Sequence, residues 1–282
     1  MNLITAPGFY PQLIPDDYFA EPCPAPALTN SGIGTLLASC PARFAFEHPA
    51  LGDGSPERQS TAAQHRGSLV HRLALGKGAD YAVIDAPDYR TKEAKVAKAE
   101  AEASGLIPVL ADKLTEAQAM AAVISDQIEA VVNGADYQTE VVIAWFRGDR
   151  WCRAMLDVWC PSRALALDVK TCADASDDAV RRAFARGYGR QEAWYRDGLT
   201  RLTGTDARFA FLFVESDPPH LSREATATEG MRTGSRMDCE RGFSIFDRCM
   251  KAGEWPSYTP MQVEPTPWQV REWTEAEYLE AA

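Results

Sequence analysis

The sequence predicts an α/β fold, a central mixed sheet flanked by helices with a helical part in front of it. Three observations carry that expectation. Tyr137 to Phe146, Trp151 to Trp159 and Ala164 to Thr171 are runs of strand composition separated by Gly148-Asp149 and Pro161-Ser162, which is the pattern of an antiparallel meander. From about Asp177 to Leu202, Val180, Phe184, Tyr188, Gln191, Tyr195 and Leu199 recur at spacings of three and four, so they share one face of a long helix. Phe209 to Glu215 is then a short apolar run suited to a buried central strand. The order strand–strand–strand–helix–strand belongs to an α/β sandwich.

Residues 1–27 are proline-rich and aperiodic and read as an extended N-terminal arm. Residues 28–136 read as a helical part. Asn30 or Ser31 caps a helix with the stripe Ile33, Leu36 and Leu37, and Pro41 opens a short helix carrying Phe44 and Phe46. A polar loop from about Gly52 to Ser60 leads into a helix over Ala62 to Leu75, which contains Gly67-Ser68-Leu69-Val70-His71. Tyr81 to Asp85 has strand composition, and Thr91 to Ala103 is an alanine- and lysine-rich helix. Thr115-Glu116-Ala117-Gln118 has capping-box form and begins another. Residues 137–258 form the core: the meander, the long helix, the central strand, a short strand near Leu221 to Thr226 and a helix from Glu229 to Ala252. Residues 259–282 read as a C-terminal tail on the surface.

With 282 residues, close to half of them apolar, the chain has enough material for a sizeable core. No apolar run approaches the roughly 20 residues that span a bilayer. The N-terminus has no basic region followed by an apolar stretch, so a cytoplasmic protein without a membrane partner is expected. The net charge of −11 argues against a general nucleic-acid coat. It leaves room for an enzyme that needs acidic metal ligands and only a local basic track. The seven cysteines form no CxxC pair, the wrong pattern for a disulfide framework or an iron–sulfur cluster.

The chemistry concentrates on two strands. Asp168 and Lys170 are two residues apart and share a face of the third meander strand, whereas Leu165, Leu167 and Val169 point the other way. If the second strand pairs beside it, Asp157 approaches Asp168 across the ladder. Two carboxylates, with the Val169 carbonyl as a third oxygen, suit a hard cation such as magnesium. Lys170 would hold or help deprotonate a water there. Taken alone, the same residues are equally an ion pair of no consequence. Glu140, on the first meander strand, is a further acidic residue near this point. Arg182, Arg186 and Arg190 repeat every four residues along the long helix and, with Arg181, make a basic strip suited to DNA phosphates. Lys92, Lys95 and Lys98 read as a solvated face. By themselves His71 reads as a core histidine, and Gln191 and Tyr195 as buried polar groups that satisfy one another or the backbone.

The pattern D-x(10)-D-V-K from Asp157 to Lys170, followed by a helix bearing Gln191-Glu192-Ala193-Trp194-Tyr195, resembles the PD-(D/E)xK nucleases and the Q-x-x-x-Y element of their RecB-like branch. Leu28-Thr29-Asn30-Ser31-Gly32, the Ser-Cys-Pro-Ala of 39–42, Gly67 to His71, Tyr89-Arg90-Thr91-Lys92-Glu93 and Gly253-Glu254-Trp255-Pro256 are similar to RecE-type exonucleases (exodeoxyribonuclease VIII-like) of phage and prophage. The likeness runs in order from about residue 28 to 258. It implies a restriction-endonuclease-like core with Asp157 and Asp168 as metal-binding acids and Lys170 as the catalytic lysine. It makes His71 a metal contact and has Gln191 and Tyr195 line the site. Two departures are the leucine at Leu156, where the family has proline, and aspartate at Asp168, where many members have glutamate. The implied cofactor is Mg2+ or Mn2+, two ions per site, with the histidine better suited to manganese. The implied activity is exonucleolytic hydrolysis of double-stranded DNA ends, 5'-to-3', to make single strands for recombination. A single-strand annealing protein as partner and a homo-oligomeric ring belong to the same picture, as does the host cytoplasm for a phage-encoded chain. Two alternatives stay open: a PD-(D/E)xK endonuclease or single-strand exonuclease, and a non-catalytic DNA-binding subunit, against which the intact Asp157, Asp168 and Lys170 argue.

Overall fold

The structure is a computed structural model that describes residues 3–52 and 62–280. The polar loop expected after Gly52 lies outside these residues. In chain order the elements are β1 (Gly8–Tyr10), α1 (Pro15–Phe19), α2 (Asn30–Ala38), α3 (Pro41–Glu47), α4 (Ala62–Leu75), β2 (Tyr81–Ile84), α5 (Lys92–Ala103), β3 (Ile107–Leu110) and α6 (Ala111–Val132). They continue with β4 (Gln138–Arg147), β5 (Arg150–Cys160), β6 (Leu165–Cys172), α7 (Asp177–Ala183), α8 (Gly189–Thr203), β7 (Arg208–Glu215), β8 (Ser222–Ala225), α9 (Glu229–Ala252) and α10 (Pro267–Glu280).

The main sheet has the order β1-β4-β5-β6-β7-β8. It is antiparallel except where β6 and β7 run parallel, which the α7–α8 crossover makes possible. The strand expected at 81–85 is present, and β3 pairs with it in parallel through α5. The alternation of side chains sorts the core into layers. Val141, Ile143, Trp145, Phe209, Phe211 and Phe213 pack on one face against Ile33, Phe44, Trp194, Leu199 and Phe246 from α2, α3, α8 and α9. Leu165, Leu167, Val169 and Leu212 pack on the other against Val70 of α4 and Met120, Ile124 and Ile128 of α6. Helix α8 lies close to the sheet because Gly198 has no side chain, and a Cβ there would stand 2.7 Å from the Trp145 ring.

Helix starts follow side-chain chemistry. Thr29, rather than Asn30 or Ser31, caps α2 by accepting from the Gly32 amide at 3.1 Å. Ser176 and Thr228 do the same for α7 and α9. The box at Thr115 does not open a helix. Helix α6 begins at Ala111, directly after β3, and the Thr115 hydroxyl donates back to the Ala111 carbonyl within it.

Three other regions differ from expectation. The arm is part of the fold: β1 pairs with β4 from Gly8↔Ala144 to Tyr10↔Val142. Ile4, Leu13, Tyr18, Cys23 and Ala27 are buried against Val142, Ala144 and Trp151. The tail carries α10, which leaves Trp268 and Trp273 exposed. The long helix is two helices joined by a wide turn over Phe184–Tyr188, where Gly187 has φ +138°. Glycine tolerates that angle and other residues rarely do. Among the described residues no helix is long and apolar enough to cross a membrane.

Candidate active site

The site forms where the sheet ladder opens. The β5–β6 pairing runs through Cys160↔Leu165, Trp159↔Ala166 and Val158↔Leu167 and then stops. The next rung holds Asp157 and Asp168. There the Val169 amide donates to Asp157 Oδ2 at 2.7 Å, so a side chain replaces the backbone carbonyl that would continue the ladder. Along β5, Ala154 and Leu156 pack with α8 and α9, whereas Val158 and Cys160 pack with α4 and α6. These residues are all even-numbered, so the strand rolls over at Asp157. The neighbouring rung of β4 is Glu140, between Thr139↔Val158 and Val141↔Leu156. Its φ of +51° is left-handed for a non-glycine residue.

Around this opening the predicted residues meet. Asp168 is 2% exposed, and its Oδ2 accepts from Gln191 Nε2 of α8. Its buried Oδ1 has no well-directed hydrogen bond and faces Lys170 Nζ across 2.5 Å. Lys170 is further held over the rings of Tyr188 and Phe211, 4.9 and 5.9 Å from their centroids. Tyr195 stands beside Gln191 one turn along α8. From α4, His71 Nδ1 lies 3.9 Å from both Glu140 Oε1 and Asp157 Oδ2. A cleft of about 390 Å³ is lined by Asp157, Asp168, Val169, Lys170, His71, Gln191 and Tyr195. Its outer wall comes from Tyr18 and Phe19 of the arm and from Thr29 to Ser31 at the start of α2. No periodic signal in the arm points to that wall.

The electrostatics follow from three acids in a small dry space. Burial raises the Asp157 carboxyl, and Glu140 adds to that, while His71 and Lys170 oppose it. Burial likewise lifts Asp168 to about 6 against the pull of Lys170, with Asp157 adding to the rise. For His71, burial acts downward, yet Asp157 and Glu140 prevail and raise it to about 9. Lys170 is also raised, because Asp168 and Asp157 outweigh its own burial. Burial pushes the Tyr195 hydroxyl well above its usual value, so it stays protonated. Surplus buried negative charge of this kind favours a bound cation.

The residues fit a divalent ion. Asp157 and Asp168 flank the opened rung, and the buried Asp168 Oδ1 lacks a directed donor. The Val169 amide points to the β5 side, and in a strand the carbonyl of the same residue points the same way, so that carbonyl faces the gap too. One ligand atom each from His71, Glu140 and Asp157 lie within 4.8 Å of one another.

The arginine strip does not hold together as spaced. The wide turn at Phe184–Tyr188 breaks the four-residue repeat between Arg186 and Arg190. Arg182 and Arg186 stay exposed. Arg190 turns toward α2, where its Nε donates to Asn30 Oδ1 at 3.0 Å.

A family model described as DUF3799, a PDDEXK-like domain of unknown function, matches residues 35–261. No curated protein matches the chain in sequence. Among solved structures, a protein of Eubacterium rectale provisionally named an exonuclease superposes with a TM-score of 0.62 at 17% identity, over 93% of this chain and 98% of that one. That likeness shows a shared fold. A phage-related exonuclease from Haemophilus somnus overlaps more loosely, with a TM-score of 0.32 at 13% identity over 71% of this chain and 92% of its own. An overlap that loose adds nothing to the fold assignment.

Proposed function

The chain belongs to the PDDEXK-like family DUF3799, and on that premise we propose that it is a metal-dependent exodeoxyribonuclease. It hydrolyses phosphodiester bonds at double-stranded DNA ends, 5'-to-3' in the manner of the RecE-type enzymes it resembles. The observation that carries this reading is the opened β5–β6 rung, which presents Asp157, Asp168 and Lys170 to one cleft.

Each residue has a task that follows from its surroundings. Asp157, Asp168, the Val169 carbonyl and His71 would hold Mg2+ or Mn2+, and two ions per site would fit the charge present. A divalent ion bound there polarises the scissile phosphate and acidifies a water. Lys170 stays charged between Asp168 and the Tyr188 ring. From there it positions the attacking water and offsets the negative charge that grows on the phosphate. Gln191 fixes the Asp168 carboxylate through its amide, and Tyr195 braces Gln191. Arg182 and Arg186 remain free to meet the DNA backbone, whereas Arg190 serves that role only after leaving Asn30. The single strands produced would feed recombination, with an annealing protein as partner. A ring of copies would keep DNA threaded, and the setting would be the cytoplasm of a phage host.

The test is digestion with purified protein and Mg2+ or Mn2+. Linear duplex should be degraded from its ends while closed circular duplex survives. Cutting of the circle would favour an endonuclease, and preference for single strands a single-strand exonuclease. If every substrate stays intact in both metals, the chain is a DNA-binding relative without catalysis.

A further inference from the structure

We propose that Glu140 is a cation ligand which, with His71 and Asp157, forms a second divalent-ion seat beside the one between Asp157 and Asp168. This rests on the reading of the cleft as a metal-dependent nuclease centre. It assigns Glu140 a role that the Asp157–Asp168–Lys170 pattern does not contain.

The β4–β5 register sets Glu140 directly across from Asp157, at the point where β5 rolls over and its carboxylate turns into the sheet opening. Glu140 also lacks the close partners that its neighbours have. It is 4% exposed, yet among the described residues its carboxylate accepts no hydrogen bond. Its one ion-pair neighbour there is His71 at 3.9 Å, which is beyond hydrogen-bond reach. Asp157 has the Val169 amide, and Asp168 has Gln191 and Lys170. Glu140 is thus a buried acid whose one cationic neighbour, His71, stands too far off for a short bond, and an ion seated between them would close that gap.

An octahedral ion with bonds of about 2.1 Å sets its ligand atoms roughly 3.0 Å apart when adjacent and roughly 4.2 Å apart when opposite. The 3.9 Å separations from His71 Nδ1 to Glu140 and to Asp157 are wider than an adjacent pair, so the side chains would draw in by about 1 Å to share one ion. One nitrogen and two carboxylates suit Mn2+ better than Mg2+. Asp157 would then be shared, one ion on its Asp168 side and one on its Glu140 side. If Glu140 served only to orient His71, by contrast, removing its charge would leave the number of bound ions unchanged.

The experiment is a calorimetric titration of the full chain, stripped with a chelator and free of DNA, with Mn2+ alone. The wild type should take up two ions, Glu140→Gln one, and Asp168→Asn should lose the other. An unchanged count and affinity in Glu140→Gln overturns the proposal. Crystals of the wild-type chain soaked in Mn2+ guard against a variant that does not fold. Two anomalous peaks are expected, one of them bonded by Glu140 and His71. A single peak between Asp157 and Asp168 overturns the Glu140 assignment and leaves the nuclease reading standing. No Mn2+ bound at all brings down both.

Discussion

Arg153 and Asp157 sit four residues apart on β5, and each is the centre of a buried group of charges. Around Arg153 the distances are short: Glu21 Oε2 is 3.0 Å from Arg153 Nη2 and 3.1 Å from His48 Nε2. The Arg153 guanidinium also stacks over Tyr18 at 4.6 Å. Burial alone would raise the Glu21 carboxyl, but His48, Arg153 and the Ala27 amide bring it below its usual value. Around Asp157 there are three acids rather than one, His71 stands off at 3.9 Å, and Asp168 is lifted to about 6. Both groups combine carboxylate, histidine and a basic side chain. The first is matched in charge and ties the arm to the sheet. The second carries an acidic excess that folding tolerates, and such an excess is expected where a cation is to be bound.

Four measurements test the difference between the two groups. The largest effect should come from Asp168→Asn, which removes an acid from the overloaded group. Cleavage should fall by at least about a hundred- to a thousandfold, while the melting temperature holds or rises. Wild-type cutting, or melting several degrees lower, would break the contrast.

Next in size is Arg153→Met in the matched group, which strands Glu21. Denaturant unfolding should show a loss of about 3–5 kcal/mol. A loss under about 1 kcal/mol would mean that the arm is held by apolar packing alone.

The pH dependence of the chelated protein comes third, because the two groups should respond with opposite sign. Asp168 binds its proton more tightly folded than unfolded, so its contribution falls as pH rises from about 4 to about 6. Its size is on the order of 2–3 kcal/mol. His71, raised to about 9, contributes stability that is complete below its unfolded value and is lost as pH climbs through 9. Glu21, lowered, contributes stability above its unfolded value and loses it as the solution is acidified. Melting curves should therefore show an acid limb that Glu21→Gln weakens, a fall between about pH 4 and 6 that Asp168→Asn removes, and a further decline near pH 9 from His71. Added Mn2+ should restore stability on the alkaline side. A chelated protein whose stability is flat from pH 5 to 9 would contradict the surplus.

The smallest effect lies outside both groups. Arg182→Ala with Arg186→Ala should lessen the salt dependence of duplex binding by about 0.9 in log–log slope for each phosphate no longer neutralised. An unchanged slope would remove these arginines from the DNA track.

Much of this was legible in the sequence because it is periodic. The meander, the central strand Phe209 to Glu215 and the helix ending at Ala252 each repeat over enough residues to announce themselves, and Asp168 and Lys170 follow from the two-residue repeat of a strand. Elements too short for periodicity stayed hidden. β1 has three residues amid prolines, and β3 is a four-residue run with Pro108 inside it. The break at Gly187 was masked because Phe184, Tyr188 and Gln191 keep helical spacing across it. The roll at Asp157 and the left-handed Glu140 come from pairing between strands, as does the meeting of Glu21, His48 and Arg153, and no local pattern announces such long-range meetings.

If Asp157 serves the proposed metal centre, the bond from the Val169 amide gives that carboxylate two duties, since it also closes a rung of the sheet. A lineage that drifted to alanine at this position would lose the proposed metal ligand and leave a buried backbone donor with nothing to accept it, a defect worth about 1–3 kcal/mol. Inactivation and misfolding are therefore inherited together here. Selection on solubility alone would go on preserving the acid long after any demand for cutting had lapsed.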